Sequence, residues 1–202
     1  MGLTEQAPDA TPLDETELIG LIPTWIATRE DLNLAEQTNI EEATRWAFSG
    51  RRRVDPIDLL RTDFVDRVHV RMFGRVWRWA GERRQRVTNI GVDPAHISVD
   101  IRNALDDVRY WHENASMPPS EIAVRLHHRI VSIHPYANGN GRHSRFMADY
   151  YMHTLGLPRL VWGSSDLAKT GEVRSSYIAA LGAADNGEID ALLAFALDEQ
   201  LQ

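Results

Sequence analysis

Cysteine is absent from this chain of 202 residues, which excludes a disulfide framework, a thiol nucleophile and a zinc site built on thiolates. Positive charge is in deficit, since 22 Lys and Arg residues face 29 Asp and Glu residues and leave a net charge of −7. That balance argues against a nucleic-acid partner. Apolar runs fall short of the roughly 18 residues that span a bilayer, and no signal-peptide pattern is present. We therefore expect a cytoplasmic protein that binds neither nucleic acid nor membrane.

The remaining composition is ordinary for a globular protein, with 43% hydrophobic and 25% charged residues. Apolar residues recur mostly at steps of three and four, which predicts a mostly α fold. Thr28 and Asp31 are spaced as in a capping box, at the start of a helix that runs toward Phe48. Further helices are expected from about residues 62, 100, 119 and 140, and near 166–182 and 188–201.

Residues 82–99 depart from this helical pattern. Their β-branched side chains are interrupted by turn-forming residues, which is typical of a short hairpin. The β-branched set is Val87, Ile90, Val92, Ile97 and Val99, and the turn formers are Gly91, Asp93 and Pro94. We therefore expect one small β element in an otherwise helical chain.

The segment His-Pro-Tyr-Ala-Asn-Gly-Asn-Gly-Arg-His-Ser-Arg at residues 134–145 has the strongest chemical content. His134 offers a base that titrates near neutrality. Gly139 and Gly141 permit the backbone angles that turn successive N–H groups toward an anion. Arg142 and Arg145 add positive charge suited to phosphate oxygens. A base beside a phosphate cradle indicates nucleotide-dependent group transfer.

This segment resembles the signature of the Fic (Fido) family, His-Pro-Phe-x-(Asp/Glu)-Gly-Asn-Gly-Arg, which is completed by a second arginine after two further residues. Trp79–Arg84 is similar to the Trp-Ala-Gly-x-x-Arg stretch that precedes the family's flap, and Ser176–Leu181 is similar to its closing Tyr-x-x-Ala-Leu helix. The resemblance covers roughly residues 62–200. The N-terminal segments also resemble the subgroup called mobile mystery protein B.

The resemblance implies a Fic-type helical domain over residues 62–202, with a small β-hairpin flap beside the nucleotide site. Residues 1–61 would form an N-terminal extension that regulates it, within a single compact unit. The implied flap residues are Thr88, Asn89, Ile90 and Gly91. A flap strand would hold a target segment by main-chain pairing, which tolerates many side chains. The identity of the target protein therefore cannot be predicted from this sequence.

The activity implied by the family is protein AMPylation, in which AMP passes from ATP to a Ser, Thr or Tyr hydroxyl of a target protein and pyrophosphate is released. The chain itself is one candidate target. His134 would be the base, and Arg142 would stabilise charge on the phosphates. The residues expected to bind the nucleotide are Asn138, Gly139, Asn140, Gly141, Arg142, Arg145 and Tyr177. Two alternatives stay open: another nucleotidyl or phosphoryl transfer, and a catalytically weak protein that binds or senses nucleotides.

Asn138 departs from the family pattern, because relatives place a carboxylate there to hold Mg²⁺ between phosphates. A neutral amide oxygen binds magnesium more weakly than a carboxylate does. Three interpretations follow: reduced affinity for Mg²⁺ or Mn²⁺, a metal held mainly by the nucleotide, or a changed activity.

Many Fic enzymes are restrained by a helix with the motif Ser/Thr-x-x-x-Glu-Gly/Asn, whose glutamate pairs with the second signature arginine. Thr38–Ala43 resembles this motif without its final Gly or Asn. Glu41 or Glu42 would then pair with Arg145. The alternative is that these residues form an ordinary exposed acidic helix face.

Overall fold

The computed structural model describes residues 14–50, 54–164 and 171–197. Within these ranges the chain is mostly helical, which confirms the predicted fold class. The helices are α1 (Glu15–Leu18), α2 (Arg29–Phe48), α3 (Pro56–Leu59), α4 (Thr62–Phe73), α5 (Ile97–Glu113), α6 (Pro119–Ile133), α7 (Asn140–Thr154), α8 (Glu172–Asp185) and α9 (Asp190–Leu197), with a short 3₁₀ turn at Trp162–Ser164. None of the helices described is long and apolar enough to cross a membrane.

The first long helix, α2, begins at the predicted capping box. The Thr28 hydroxyl accepts a hydrogen bond from the Asp31 N–H, and the Asp31 carboxylate accepts one from the Thr28 N–H. These two bonds satisfy donors that the first helical turn leaves without partners. Asn39 joins α2 to the end of α4, since its side-chain amide donates to the Arg71 carbonyl and accepts from the Arg75 N–H. These hydrogen bonds therefore fix α2 to the C-terminal end of α4.

The core forms around α6, which packs against α5 and α7. The apolar residues that recur at steps of three and four along α6 are buried: Ile122, Leu126, Ile130 and Ile133. Burying an aliphatic side chain of this size contributes about 1.5–3 kcal/mol relative to leaving it exposed. These contacts hold the C-terminal end of α6 in place, and the 134–145 segment starts there.

The turn between α6 and α7 follows from local chemistry. Pro135 has no N–H to continue the helix, and His134 adopts a left-handed conformation with φ of 54°. Gly139, with φ of 79°, then precedes the first residue of α7. The chain reverses within five residues and presents the N-terminus of α7 to the site.

The predicted hairpin is wrong. Residues 82–96 contain bends and turns but no strand, and the one β-bridge of the described residues joins Leu21 to Trp77. Asp93 accepts hydrogen bonds from the two N–H groups that follow Pro94, so the chain turns directly into α5. This helix starts at Ile97 rather than at the expected Asp100. Burial of Ile97 in the core outweighs the strand preference of its branched side chain.

The last two helices lie close to their predicted ranges. The helix expected at 166–182 is observed as α8, and residues 165–170 lie outside the described part of the chain. The helix expected at 188–201 is observed as α9, and residues 198–202 also lie outside it.

Candidate active site

His134 stands at the C-terminal end of α6 and is largely buried, with 8% of its surface exposed. Burial lowers the pKa of this imidazole from 6.5 to about 4; the charge of Arg84 acts in the same direction, and a hydrogen bond with the backbone of Val131 opposes it. The expectation of titration near neutrality is therefore wrong. The ring is neutral at pH 7 and can accept a proton.

The loop after His134 is held by its own side chains. The Asn140 amide donates to the Tyr136 carbonyl (2.7 Å) and accepts from the Tyr136 N–H (2.9 Å). The buried Tyr136 hydroxyl donates to Asp66 (2.6 Å), which also pairs with Arg83. The Asn140 side chain therefore fixes the loop, and contact with nucleotide stays a prediction for this residue.

His69 is a functional residue that the sequence did not reveal. This fully buried ring stacks on Tyr136 with 3.8 Å between ring centroids. Its Nδ1 accepts from the Gly81 N–H, so the proton resides on Nε2 and is donated to the Asn138 carbonyl at 3.1 Å. Burial lowers the pKa of His69 well below 6.5, which keeps it in this neutral state. The ring thus fixes the loop from α4.

The two signature glycines differ in their surroundings. Gly139 has the expected positive φ, and a Cβ there would lie 2.5 Å from the Phe73 ring. Gly141 lies in the first turn of α7, and the nearest atom to its hypothetical Cβ is Arg145 Nη1 at 3.6 Å. Backbone conformation therefore requires glycine at 139, whereas close approach of phosphate is the remaining reason for glycine at 141.

A buried carboxylate from α2 occupies this site. Glu36 Oε2 accepts from Arg142 Nη1 at 2.7 Å. Its Oε1 accepts from Trp77 Nε1 at 2.7 Å and from Asn138 Nδ2 at 3.1 Å. The Glu36 side chain is 1% exposed, against 30% for Arg142. The first signature arginine is therefore held by a glutamate that contacts residue 138 as well.

The restraining contact predicted for Glu41 or Glu42 is wrong. Glu42 pairs with Arg75, and Glu41 accepts a hydrogen bond from Gln37. Both residues lie away from the face of α2 that is buried. That face contains Leu32, Glu36, Asn39, Ala43 and Ala47. A charged residue four positions after Leu32, on a face that Ala43 and Ala47 continue, was the sequence signal for Glu36.

Arg145 lies beside Tyr177 of α8 rather than beside a glutamate. Its guanidinium is 5.4 Å from the centre of the Tyr177 ring. The Tyr177 hydroxyl shares a hydrogen bond of 3.1 Å with His127 Nε2, and both residues are buried. Tyr177 therefore packs against Arg145, the second signature arginine. A direct contact between Tyr177 and nucleotide stays a prediction.

The expected flap residues, Thr88, Asn89, Ile90 and Gly91, form a bend that we call the flap segment. The Thr88 hydroxyl donates to the Ile90 carbonyl at 2.6 Å, inside the segment. Gly91 lies against His134, because a Cβ on Gly91 would be 2.5 Å from the His134 Cβ. The flap segment thus lies beside His134, without the strand pairing of a hairpin.

The expected metal has few candidate ligands here. No group of three or more His, Cys, Asp or Glu side chains suited to a metal occurs among the described residues. At position 138 the side-chain NH₂ is directed to Glu36, whose carboxylate also accepts from Trp77 and Arg142. In the part of the chain that the structure describes, the side chains around residue 138 therefore do not form a divalent-cation site.

Comparison with known proteins agrees with this geometry. The family model described as Fic/DOC family matches residues 59–152. Protein adenylyltransferase Fic of Drosophila virilis is 25% identical over 149 residues, which cover 72% of this chain and 29% of that protein. The structure of Fic-1 from C. elegans has a TM-score of 0.63 at 21% identity, covering 89% of this chain and 51% of that chain. BepC from Bartonella tribocorum with bound AMPPNP has a TM-score of 0.65 at 14% identity, covering 92% and 97%.

The region matched by the Fic/DOC family model includes the 134–145 segment, which resembles the Fic signature, and the fold of the described residues is that of Fic domains. The chain spans less than a third of the length of the D. virilis relative. The mobile mystery protein B subgroup and the division at residue 62 stay predictions.

Gly139→Ala should destabilise the protein, whereas Gly141→Ala should not. The first change forces a side chain into a left-handed conformation and against Phe73, for an expected loss of about 2–4 kcal/mol in the free energy of unfolding. The second adds a helix-favouring residue and should change that free energy by about 1 kcal/mol or less. Urea unfolding of both variants measures the difference. Equal free energies would contradict the conformational requirement at 139.

Asn138→Asp should destabilise the protein in a pH-dependent way. It replaces a donor to Glu36 with a second, partly buried carboxylate next to the first, so one carboxyl pKa must rise above its unfolded value of about 4. The folded variant then binds more protons than the unfolded chain, and its stability falls as pH rises through that raised pKa. We expect a loss of about 1–3 kcal/mol at pH 8 and less at pH 5.

Asn138→Ala is the control, since it removes the hydrogen bond without adding charge. Urea unfolding at both pH values gives the comparison. A pH-independent difference between the Asp and Ala variants would mean that residue 138 and Glu36 do not interact electrostatically.

Proposed function

We propose that this chain is a protein adenylyltransferase that transfers AMP from ATP to a Ser, Thr or Tyr hydroxyl of a target protein. The observation that carries the proposal is the buried His134 at the end of α6, which is separated by one short loop from α7, the helix that contains both signature arginines. Distant relatives named protein adenylyltransferase and a neighbouring fold with bound AMPPNP support the same chemistry.

The proposed reaction has one bond made and one broken. The target hydroxyl oxygen attacks the α-phosphorus of ATP while His134 accepts the hydroxyl proton. The bond from the α-phosphorus to the bridging oxygen breaks, and pyrophosphate leaves. N–H groups at the start of α7 and the charges of Arg142 and Arg145 stabilise the negative charge that builds on the phosphates. The flap segment would place the target hydroxyl near His134.

We further propose that Glu36 restrains this activity. Arg142 cannot donate fully to a phosphate while its Nη1 binds a buried carboxylate at 2.7 Å. Release of the arginine requires α2 to shift or Glu36 to change rotamer, and breaking a buried ion pair on one side costs about 3–5 kcal/mol. The protein described here would therefore be a slow, resting form.

A nucleotide-sensing protein is the second candidate, and Asn138 favours it because the family's acid is absent. The position of the label in ATP distinguishes these candidate functions. Purified protein is incubated with ATP and Mg²⁺ or Mn²⁺, alone and with lysate. Transfer of an α-phosphate label supports AMPylation, transfer of a γ-phosphate label supports phosphoryl transfer, and binding without transfer supports sensing.

His134→Ala should abolish transfer of the α-phosphate label and leave ATP affinity nearly unchanged. Loss of a general base lowers rates by about 10²–10⁴-fold. His128→Ala is the matched control, because His128 lies on the same helix and pairs with Asp185 away from the site. Transfer by the His134 variant at the rate of the control would contradict the mechanism.

Glu36→Gly should increase self-labelling by roughly tenfold or more, since Arg142 is freed for phosphate. Glu42→Gly removes an exposed partner of Arg75 and should leave the rate unchanged. Circular dichroism shows whether both variants are folded, and Glu36→Gln provides a more conservative change. If folded Glu36 variants label no faster than the parent, Glu36 is a structural residue only.

A further inference from the structure

Arg84 is a buried arginine outside the signature, with 4% of its surface exposed. Its guanidinium donates hydrogen bonds to four backbone carbonyls. Nε donates to His134 at 2.6 Å and Nη1 to Arg86 at 2.8 Å. Nη2 donates to Val92 at 2.5 Å and to Ile133 at 3.4 Å. One side chain thus contacts both the end of α6 and the chain on either side of the flap segment.

The backbone repeats this connection. The Arg84 N–H donates to the Pro135 carbonyl at 2.9 Å, and the Val92 N–H donates to the Ile133 carbonyl at 3.3 Å. The Val92 end of the segment from Arg84 to Val92 is therefore bound to the last residue of α6, and the Arg84 end is bound to the chain just after that helix. The positive guanidinium also lies at the negative end of that helix, where its carbonyls lack helical partners.

His134 depends on these contacts for its orientation. A left-handed φ of 54° is uncommon for a residue with a side chain and persists only when the surroundings enforce it. The Arg84 Nε bond holds the His134 carbonyl, and Gly91 packs against the His134 Cβ. The hypothetical Cβ of Gly91 is also 2.7 Å from Arg84 Nη2. The flap segment, Arg84 and His134 are thus in mutual contact.

We infer that Arg84 is a positioning residue that couples the flap segment to His134, so that the element proposed to hold the target and the proposed base keep a fixed relative placement. The inference rests on the proposed function for its catalytic meaning. The coupling itself is a property of the folded chain. An exposed cation would not provide this coupling, because it depends on the planar guanidinium of Arg84, which donates to four carbonyls from a buried position.

The experiment compares Arg84→Met and Arg84→Lys with Arg86→Met. Arg86 has the same charge two residues away, but its side chain pairs with Glu17 instead. Hydrogen exchange at residues 88–92 and the NMR signals of the His134 ring are measured first, because neither readout requires enzymatic activity. We expect both Arg84 variants to speed exchange at least tenfold and to shift the His134 signals, whereas Arg86→Met leaves the His134 signals unchanged.

The second measurement is the transfer activity of the same variants. A misplacement of about 1 Å costs roughly 10²-fold in rate, so Arg84→Met should lower kcat about 10²-fold with KM for ATP within twofold. Arg84→Lys should recover part of kcat through its charge. Unchanged exchange and unchanged His134 signals in both folded Arg84 variants would overturn the coupling, and so would a parental kcat in a variant with a loosened flap segment. If the parent transfers no label, the proposed function fails while exchange and NMR still decide the coupling.

Discussion

The site depends on a constraint of backbone hydrogen bonding. The chain reverses between α6 and α7 in a few mostly buried residues, several of whose N–H and C=O groups have no helical partners. Buried backbone groups without partners cost several kcal/mol, so side chains must satisfy them. Three do so: Arg84 for the end of α6, His69 for Asn138, and Asn140 for Tyr136. The shape of the loop between α6 and α7 is therefore determined in part by Arg84 and His69, which contribute no group to the proposed chemistry.

A second constraint acts on charge. Glu36 is buried, and a buried carboxylate is tolerated only when donors surround it. Trp77, Asn138 and Arg142 provide those donors. The contact with Glu36 accounts for Asn138: an amide can donate a hydrogen bond to Glu36, which an ionised carboxylate at position 138 could not do. The departure from the signature and the glutamate of α2 form one arrangement.

Much of this could be predicted from the sequence, and the rest could not for physical reasons. The capping box at Thr28 and the inward face of α6 are local patterns, and both are observed. The 82–99 hairpin failed because burial of Ile97 and the turn at Asp93 outweigh strand preference. Glu36 was missed because its partners are 41 to 106 residues away in the chain. The contacts of His69 with Asn138 and of Arg84 with His134 also join residues far apart in the sequence, so they could not be predicted from local patterns.

Tyr136 shows how such a network limits sequence change. Its buried hydroxyl has Asp66 as partner, and Asp66 also pairs with Arg83. Replacing Tyr136 by phenylalanine removes the hydroxyl and leaves the Asp66–Arg83 pair complete. Replacing Asp66 first leaves both a buried hydroxyl and a guanidinium in need of a partner. If both residues change, the order therefore matters: replacement of Tyr136 by phenylalanine is readily accepted first, and replacement of Asp66 is readily accepted only after it.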